Sequence, residues 1–156
     1  IEEQKPAEAR KAYGEAVAID GTDGIARLLY GLASFAEGDF DTASASTRQA
    51  MDATPDLVYY PFNIKALYRD PAKFQEQISA LARHADTRPG DREAQFLLGY
   101  MWYASGDAHN AMTIFGSLAV NFPGEELYSE LHGASKQALE SLSKHPPQSA
   151  PTQPTP

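Results

Sequence analysis

The sequence predicts an all-α protein whose helices form antiparallel pairs that stack into a solenoid. Apolar residues recur every three or four positions, and glycine and proline fall between these segments, as expected for amphipathic helices joined by turns. Alternating runs of Val, Ile and Thr, which are typical of strands, are missing. Prolines also recur at a spacing of 34 residues, at Pro55, Pro89 and Pro123, which indicates repeated helical units.

This pattern predicts about eight helices joined by short turns. We place them at residues 6–19, 24–36, 40–53, 60–69, 72–86, 91–104, 108–121 and 124–143. Pro61 is expected to start the fourth helix and Pro71 to lie in the first turn of the fifth, because proline inside a helix removes a hydrogen bond. The end of the chain, HPPQSAPTQPTP, has no apolar period and predicts an extended, mostly disordered tail.

The 34-residue shift superimposes more than the prolines. One shift aligns Phe40 with Phe74, and two successive shifts align Gly31 with Gly99, Gly38 with Gly106, Asp39 with Asp107, and Ala43 with Ala111. Small residues let two helix backbones approach closely. A Gly–Asp pair ends one helix and caps the next. Since one helix pair cannot bury its apolar faces alone, neighbouring units are expected to stack.

The pattern resembles the tetratricopeptide repeat, a helix–turn–helix unit of 34 residues. The third unit has the residue types of that family at Leu98, Gly99, Trp102, Ala111, Phe115 and Pro123. The first unit keeps Gly31, Ala43, Ala50 and Pro55, but has Ser34 and Thr47 where larger residues are expected. In the middle unit, Lys65, Gln77 and His84 replace small residues. The resemblance implies a right-handed α-solenoid.

The repeat register also suggests a domain organisation. A helical domain over residues 1–143 is predicted to contain units at about 24–57, 58–91 and 92–125. Half repeats at 6–20 and 124–143 flank these units, and residues 144–156 form the proline-rich tail. The first half repeat is interpreted either as the continuation of an upstream repeat or as the part that completes the terminal half repeat of a neighbouring molecule.

Composition argues against several classes of function. The net charge of −8 over 156 residues disfavours binding to nucleic-acid phosphates or to an acidic membrane surface. No apolar stretch is long enough to insert across a bilayer. The chain has no cysteine, which excludes disulfides, thiolate zinc sites and cysteine nucleophiles.

Catalytic and metal chemistry are not predicted either. The four histidines lie far apart in the sequence, without a second histidine three or four residues away. The segment DGTDG at residues 20–24 aligns with the turns between repeats and lacks the further oxygen ligands of a calcium loop. No phosphate-binding loop or nucleophile elbow is present. We therefore expect a protein that is not an enzyme and has no metal or cofactor.

The resemblance implies a partner-binding groove, because the first helices of successive units line a concave surface in this family. The groove positions here are Leu28, Leu32, Phe35, Phe62, Ala66, Arg69, Phe96, Tyr100 and Tyr103, with Tyr59 at the edge. An exposed apolar stripe of this kind often marks a binding surface. The alternative interpretation is that the side chains bury one another. Family members that bind an acidic chaperone terminus use paired Lys and Asn at these groove positions. That function is not expected here, because Arg69 is the only basic residue among the groove positions.

These observations predict a non-catalytic module that binds a protein or peptide, extended or helical, in an apolar and aromatic groove. The alternative is a structural protein that self-associates head to tail through its terminal half repeats. A third hypothesis is that the proline-rich tail occupies the groove of its own or a neighbouring molecule. The missing cysteines and the composition of the tail slightly favour an exported bacterial protein, periplasmic or extracellular, over a cytoplasmic one.

Overall fold

The computed structural model describes residues 6–144, and that range contains seven α-helices, two short 3₁₀ segments and no strand. The helices are α1 (Pro6–Ile19), α2 (Gly24–Ala36), α3 (Phe40–Ala53), α4 (Pro71–Asp86), α5 (Arg92–Ala104), α6 (Ala108–Asn121) and α7 (Glu126–Lys144). The 3₁₀ segments are Pro55–Val58 and Ile64–Leu67. The prediction of an all-α helical repeat fold is confirmed. Lys144 belongs to α7, and the rest of the predicted tail lies outside the described residues.

An aspartate immediately precedes each of the helices α2 to α6 and caps it. These residues are Asp23, Asp39, Asp70, Asp91 and Asp107, and each accepts a hydrogen bond from a backbone N–H of the first turn. Gly38 and Gly106 have φ values of +80° and +86°, which glycine adopts without the steric strain of a side chain. The predicted Gly–Asp turns before α3 and α6 are therefore confirmed.

The prediction of an α-helix over residues 60–69 is wrong. Only Ile64–Leu67 is helical there, and it is a single 3₁₀ turn. Pro61 lacks a backbone N–H, and each residue that precedes Pro61 or Pro71 is driven toward an extended conformation. The stretch left between the two prolines is too short to recover the cost of helix nucleation. Pro71, in contrast, occupies the first turn of α4 as predicted.

The missing helix changes how the units pack. Helices α1, α2 and α3 contact each other in chain order, and so do α5, α6 and α7. Because residues 59–70 form no α-helix, α3 of the first unit contacts α5 of the third directly, and α4 packs against α5. The 3₁₀ segment Pro55–Val58 contacts both α3 and α7. One buried apolar cluster therefore runs through the first and third units.

Two of the repeat glycines lie where helices approach closely. An ideal Cβ on Gly31 would lie 3.1 Å from Oγ1 of Thr47 on α3, and one on Gly99 would lie 2.9 Å from Cζ of Phe115 on α6. Gly133, one repeat length after Gly99, would place a Cβ with nothing within 4 Å. The first two positions require a small residue because of packing, whereas Gly133 does not.

Candidate binding groove

The structure does not gather the ten predicted groove residues on one open surface. Six of them are buried: Leu28, Leu32, Phe35, Phe96, Tyr100 and Tyr103. All six belong to the apolar cluster that joins the first and third units, which agrees with the interpretation that these side chains bury one another. Tyr59, Ala66 and Arg69 are exposed, and Phe62 is partly buried. Partner binding by the ten residues stays a prediction, and these four are its accessible part.

A different apolar groove lies near Tyr59, with a volume of about 510 Å³. Its lining residues are Tyr59, Pro61, Tyr103, Gly106, Ala108, Ala138, Ser141 and Leu142. We call this surface the Tyr59 groove. None of its lining residues is charged. Tyr59 is 50% exposed and Leu142 is 49% exposed, so that two large apolar side chains flank the opening.

Three separate segments of the chain position the walls of the Tyr59 groove. Tyr59 follows the 3₁₀ segment Pro55–Val58, whose Leu57 and Val58 are buried, and its amide donates to the carbonyl of Asp56 at 3.1 Å. Tyr103 lies in the last turn of α5, and Gly106 lies in the turn that follows, which its positive φ makes possible. The third wall is the last part of α7, where residues four positions apart lie on one face. The groove therefore depends on the packing of elements far apart in the sequence.

Two tyrosines of α5 are desolvated: Tyr103, which lines the groove, and the buried Tyr100. Burial raises the pKa of Tyr103, because the ionised phenolate would lose its hydration. Burial also raises the pKa of Tyr100, which lies one helical turn earlier on α5. The Tyr100 hydroxyl is buried without a hydrogen-bond partner among the described residues. Both phenols are neutral at physiological pH, so the Tyr103 side chain that lines the groove is uncharged.

A second cavity of about 500 Å³ lies between α3 and the amino-terminal ends of α5 and α7, and its chemistry is ionic. Arg48 donates to the Tyr128 hydroxyl at 2.8 Å and to Oε1 of Glu93 at 3.2 Å. Its guanidinium also lies 4.6 Å from the centroid of the Phe96 ring. Because Arg48 satisfies Glu93 and Tyr128 within the chain, this cluster joins α3, α5 and α7 rather than presenting free charges to a ligand.

The protonation of this cluster follows from its contacts. Burial lowers the pKa of Arg48, but the hydrogen bond to Tyr128 and the charge of Glu93 outweigh burial and raise it overall. Burial raises the pKa of Tyr128, and the neighbouring Arg48 opposes that shift. Arg48 is therefore cationic and Tyr128 neutral at physiological pH, so that the hydrogen bond between them is charge-assisted.

No group of three or more His, Asp or Glu side chains that could hold a metal ion occurs within residues 6–144. His84 lies 4.0 Å from Asp91, and its ring contacts Phe40 with 5.1 Å between ring centroids. His84 therefore makes a packing contact near the end of α4. Over the same range, no helix combines the length and the apolar character needed to cross a membrane.

Most of the Tyr59 groove was not predicted from the sequence. Ala138 and Leu142 were not singled out, although their spacing of four on α7 is that of one helical face. Nothing in the linear sequence shows that this face meets Tyr59. Arg48 was also missed, because its partners Glu93 and Tyr128 lie 45 and 80 residues further along the chain.

The capped, closely approaching helix pairs define the class of the molecule as a helical repeat protein. Comparison with known families identifies the kind of helical repeat in two parts of the chain. Tetratricopeptide repeat families match residues 1–57 and residues 93–124. The chain therefore belongs to the tetratricopeptide repeat proteins. A search of curated proteins found no match to the chain. The unmatched residues 58–92 contain the segment that forms no α-helix.

Proposed function

We propose that this protein is a non-catalytic interaction module whose Tyr59 groove binds an extended, uncharged, proline-containing segment of a protein partner. Tetratricopeptide repeats generally mediate protein–protein interaction. The observation that supports this particular site is the exposure of Tyr59 and Leu142 around an uncharged cavity. Large apolar side chains at a concave surface are typical of sites where a partner covers them.

The chemistry of the lining selects the kind of ligand. A volume of about 510 Å³ is within the range of roughly 300–1,000 Å³ found for ligand pockets, and holds a few residues of an extended peptide. Charged ligand residues would lose hydration without gaining a partner there. Proline-rich segments suit aromatic-lined grooves because they are already extended and carry fewer N–H groups that need acceptors.

The proposal is tested by selecting twelve-residue peptides from a displayed library against the full chain and titrating the best uncharged binder by calorimetry. The double variant Tyr59→Ala, Leu142→Ala should bind about tenfold or more weakly, since central apolar contacts commonly contribute over 1 kcal/mol each. Both side chains are half exposed, so the variant is expected to fold, which circular dichroism checks.

The chain offers a matched control beside the groove. Tyr60 is 77% exposed and does not line the cavity, so Tyr60→Ala removes a similar ring without changing the proposed site. We expect unchanged affinity for Tyr60→Ala. Equal losses for Tyr59 and Tyr60 variants, or selection of strongly acidic peptides only, would contradict the proposal.

Self-association through the terminal half repeats is the second candidate function. Ile19 at the end of α1 is 88% exposed, which is unusual for a large apolar side chain. However, the exposed face of α1 also carries Glu8, Lys11 and Glu15, residues typical of a solvated surface. We therefore favour peptide binding. Light scattering over a wide concentration range separates the two, because head-to-tail association requires a mass that rises with concentration.

A further inference from the structure

The Tyr59 groove lies beside the point where the described chain ends. Leu142 and Ser141 line the groove, and α7 ends at Lys144, two residues after Leu142. The next twelve residues read HPPQSAPTQPTP. This segment, which we call the tail, contains five prolines and no Asp, Glu, Lys or Arg.

We propose that the tail, residues 145–156, binds in the Tyr59 groove of its own molecule and so competes with an external partner. This inference rests on the proposed function, because both concern the same groove. The tail has the chemistry that the groove selects: it is uncharged between Pro146 and Thr155, rich in proline and poor in large side chains.

The spacing of the prolines fits one side of an extended helix. Polyproline II has three residues per turn, so that in this conformation Pro151 and Pro154 would lie on the same face, roughly 9 Å apart. Two rings on one face can contact the aromatic and aliphatic walls together. The backbone carbonyls between them can accept a hydrogen bond from the half-exposed Tyr59 hydroxyl.

The tether is long enough to allow this contact. Six residues, 145–150, precede Pro151 and can span up to about 20 Å when extended, which permits the chain to reverse after α7. A short flexible tether gives an effective concentration on the order of millimolar. A tail with an intrinsic dissociation constant of about 0.1 mM would therefore occupy its own groove most of the time.

The absence of cysteine allows a direct test in the full chain. A single Thr152→Cys substitution carries a nitroxide label, and paramagnetic broadening is then measured on backbone amides of isotope-labelled protein. We expect strong broadening at Tyr59, Gly106 and Ser141, and none on α1. The Tyr59→Ala, Leu142→Ala background should abolish the broadening, whereas Tyr60→Ala should leave it unchanged.

A mixing experiment separates intramolecular from intermolecular contact. One sample carries only the spin label, the other carries only the isotope, and the two are combined. Broadening that appears in this mixture at the groove would overturn the inference, because the tail would then occupy a neighbouring molecule. Broadening that is absent, or equal on all helices, would overturn it as well.

A second measurement distinguishes failure of this inference from failure of the proposed function. The variant Pro151→Ser, Pro154→Ser should bind the selected external peptide about tenfold more tightly if the tail competes, given an effective concentration tenfold above its dissociation constant. Unchanged affinity together with peptide binding at Tyr59 contradicts the inference and leaves the proposed function standing. Tail-dependent broadening at the groove, with no external binder even for the Pro151→Ser, Pro154→Ser variant, would show tail binding but contradict both competition and the proposed function.

Discussion

Gly99 and Gly133 occupy equivalent repeat positions in different surroundings, and the same substitution at both isolates the contribution of helix packing. A Cβ on Gly99 would lie 2.9 Å from Cζ of Phe115 and 3.1 Å from Cγ2 of Ile114. Phe115 is fully buried, so its ring is enclosed by other side chains. A Cβ on Gly133 has no neighbour within 4 Å.

The expected magnitudes follow from two effects. Replacing glycine by alanine inside a helix favours the folded state by roughly 0.8–1.0 kcal/mol, and this gain applies at both positions. Overpacking a core costs about 1–3 kcal/mol and applies only at Gly99. Gly133→Ala should therefore raise the free energy of unfolding by about 1 kcal/mol. Gly99→Ala should be about 1–3 kcal/mol less stable than Gly133→Ala.

Urea denaturation followed by circular dichroism at constant pH measures both variants against the original chain. For a protein of this size, 1 kcal/mol corresponds to a shift of about 2–4 °C in Tm, so thermal unfolding provides an independent check. Equal stabilisation by the two alanines would refute the assignment of Gly99 as a position of close helix approach. A destabilised Gly133→Ala would contradict the open surroundings of that residue.

Three further predictions concern the ionic cluster and the helix caps. Arg48→Met should lower the free energy of unfolding, measured by urea titration, by about 1–3 kcal/mol, because Glu93 and the Tyr128 hydroxyl lose their partner. A variant as stable as the original chain would show that the cluster contributes nothing to stability. Asp107→Ala should lower the free energy of unfolding by about 1 kcal/mol, because α6 loses its cap. Unchanged stability in the same urea titration would contradict this prediction. Burial raises the pKa of Asp39, but hydrogen bonds from Thr42 outweigh burial and lower the pKa overall from 3.8. The ionised Asp39 therefore stabilises the folded protein above about pH 3.8, and this contribution is lost as the pH falls below that value. Stability measured from pH 6 to pH 2 should therefore fall less steeply in Asp39→Asn, and identical profiles would contradict this pKa shift.

The capped turns and most helix bounds could be predicted from the sequence because local residues determine them. Gly38–Asp39 and Gly106–Asp107 combine a positive φ with a side-chain cap, and both features are encoded within two adjacent residues. The middle unit could not be predicted in the same way. Its register suggested a helix, but Pro61 and Pro71 leave too little chain between them to form one, and local conformation overrides the repeat.

The candidate site was less predictable than the fold. The family pattern correctly identified which positions are apolar, but it assumed a first helix in every unit. Without that helix, Phe35 and Tyr100 lie in one buried cluster instead of along an open stripe. The Tyr59 groove arises from contact between α7 and the segment after α3, and that contact is not encoded by any local spacing.

The central claim is that the Tyr59 groove is the surface that binds a partner. Chemical-shift mapping of the isotope-labelled full chain, titrated with the selected uncharged peptide, tests it most directly. The predicted result is that the largest amide shifts cluster at Tyr59, at residues 103–108 and at residues 138–142. Shifts centred instead on the Arg48 cavity or on α1, with the groove unchanged, would contradict the claim.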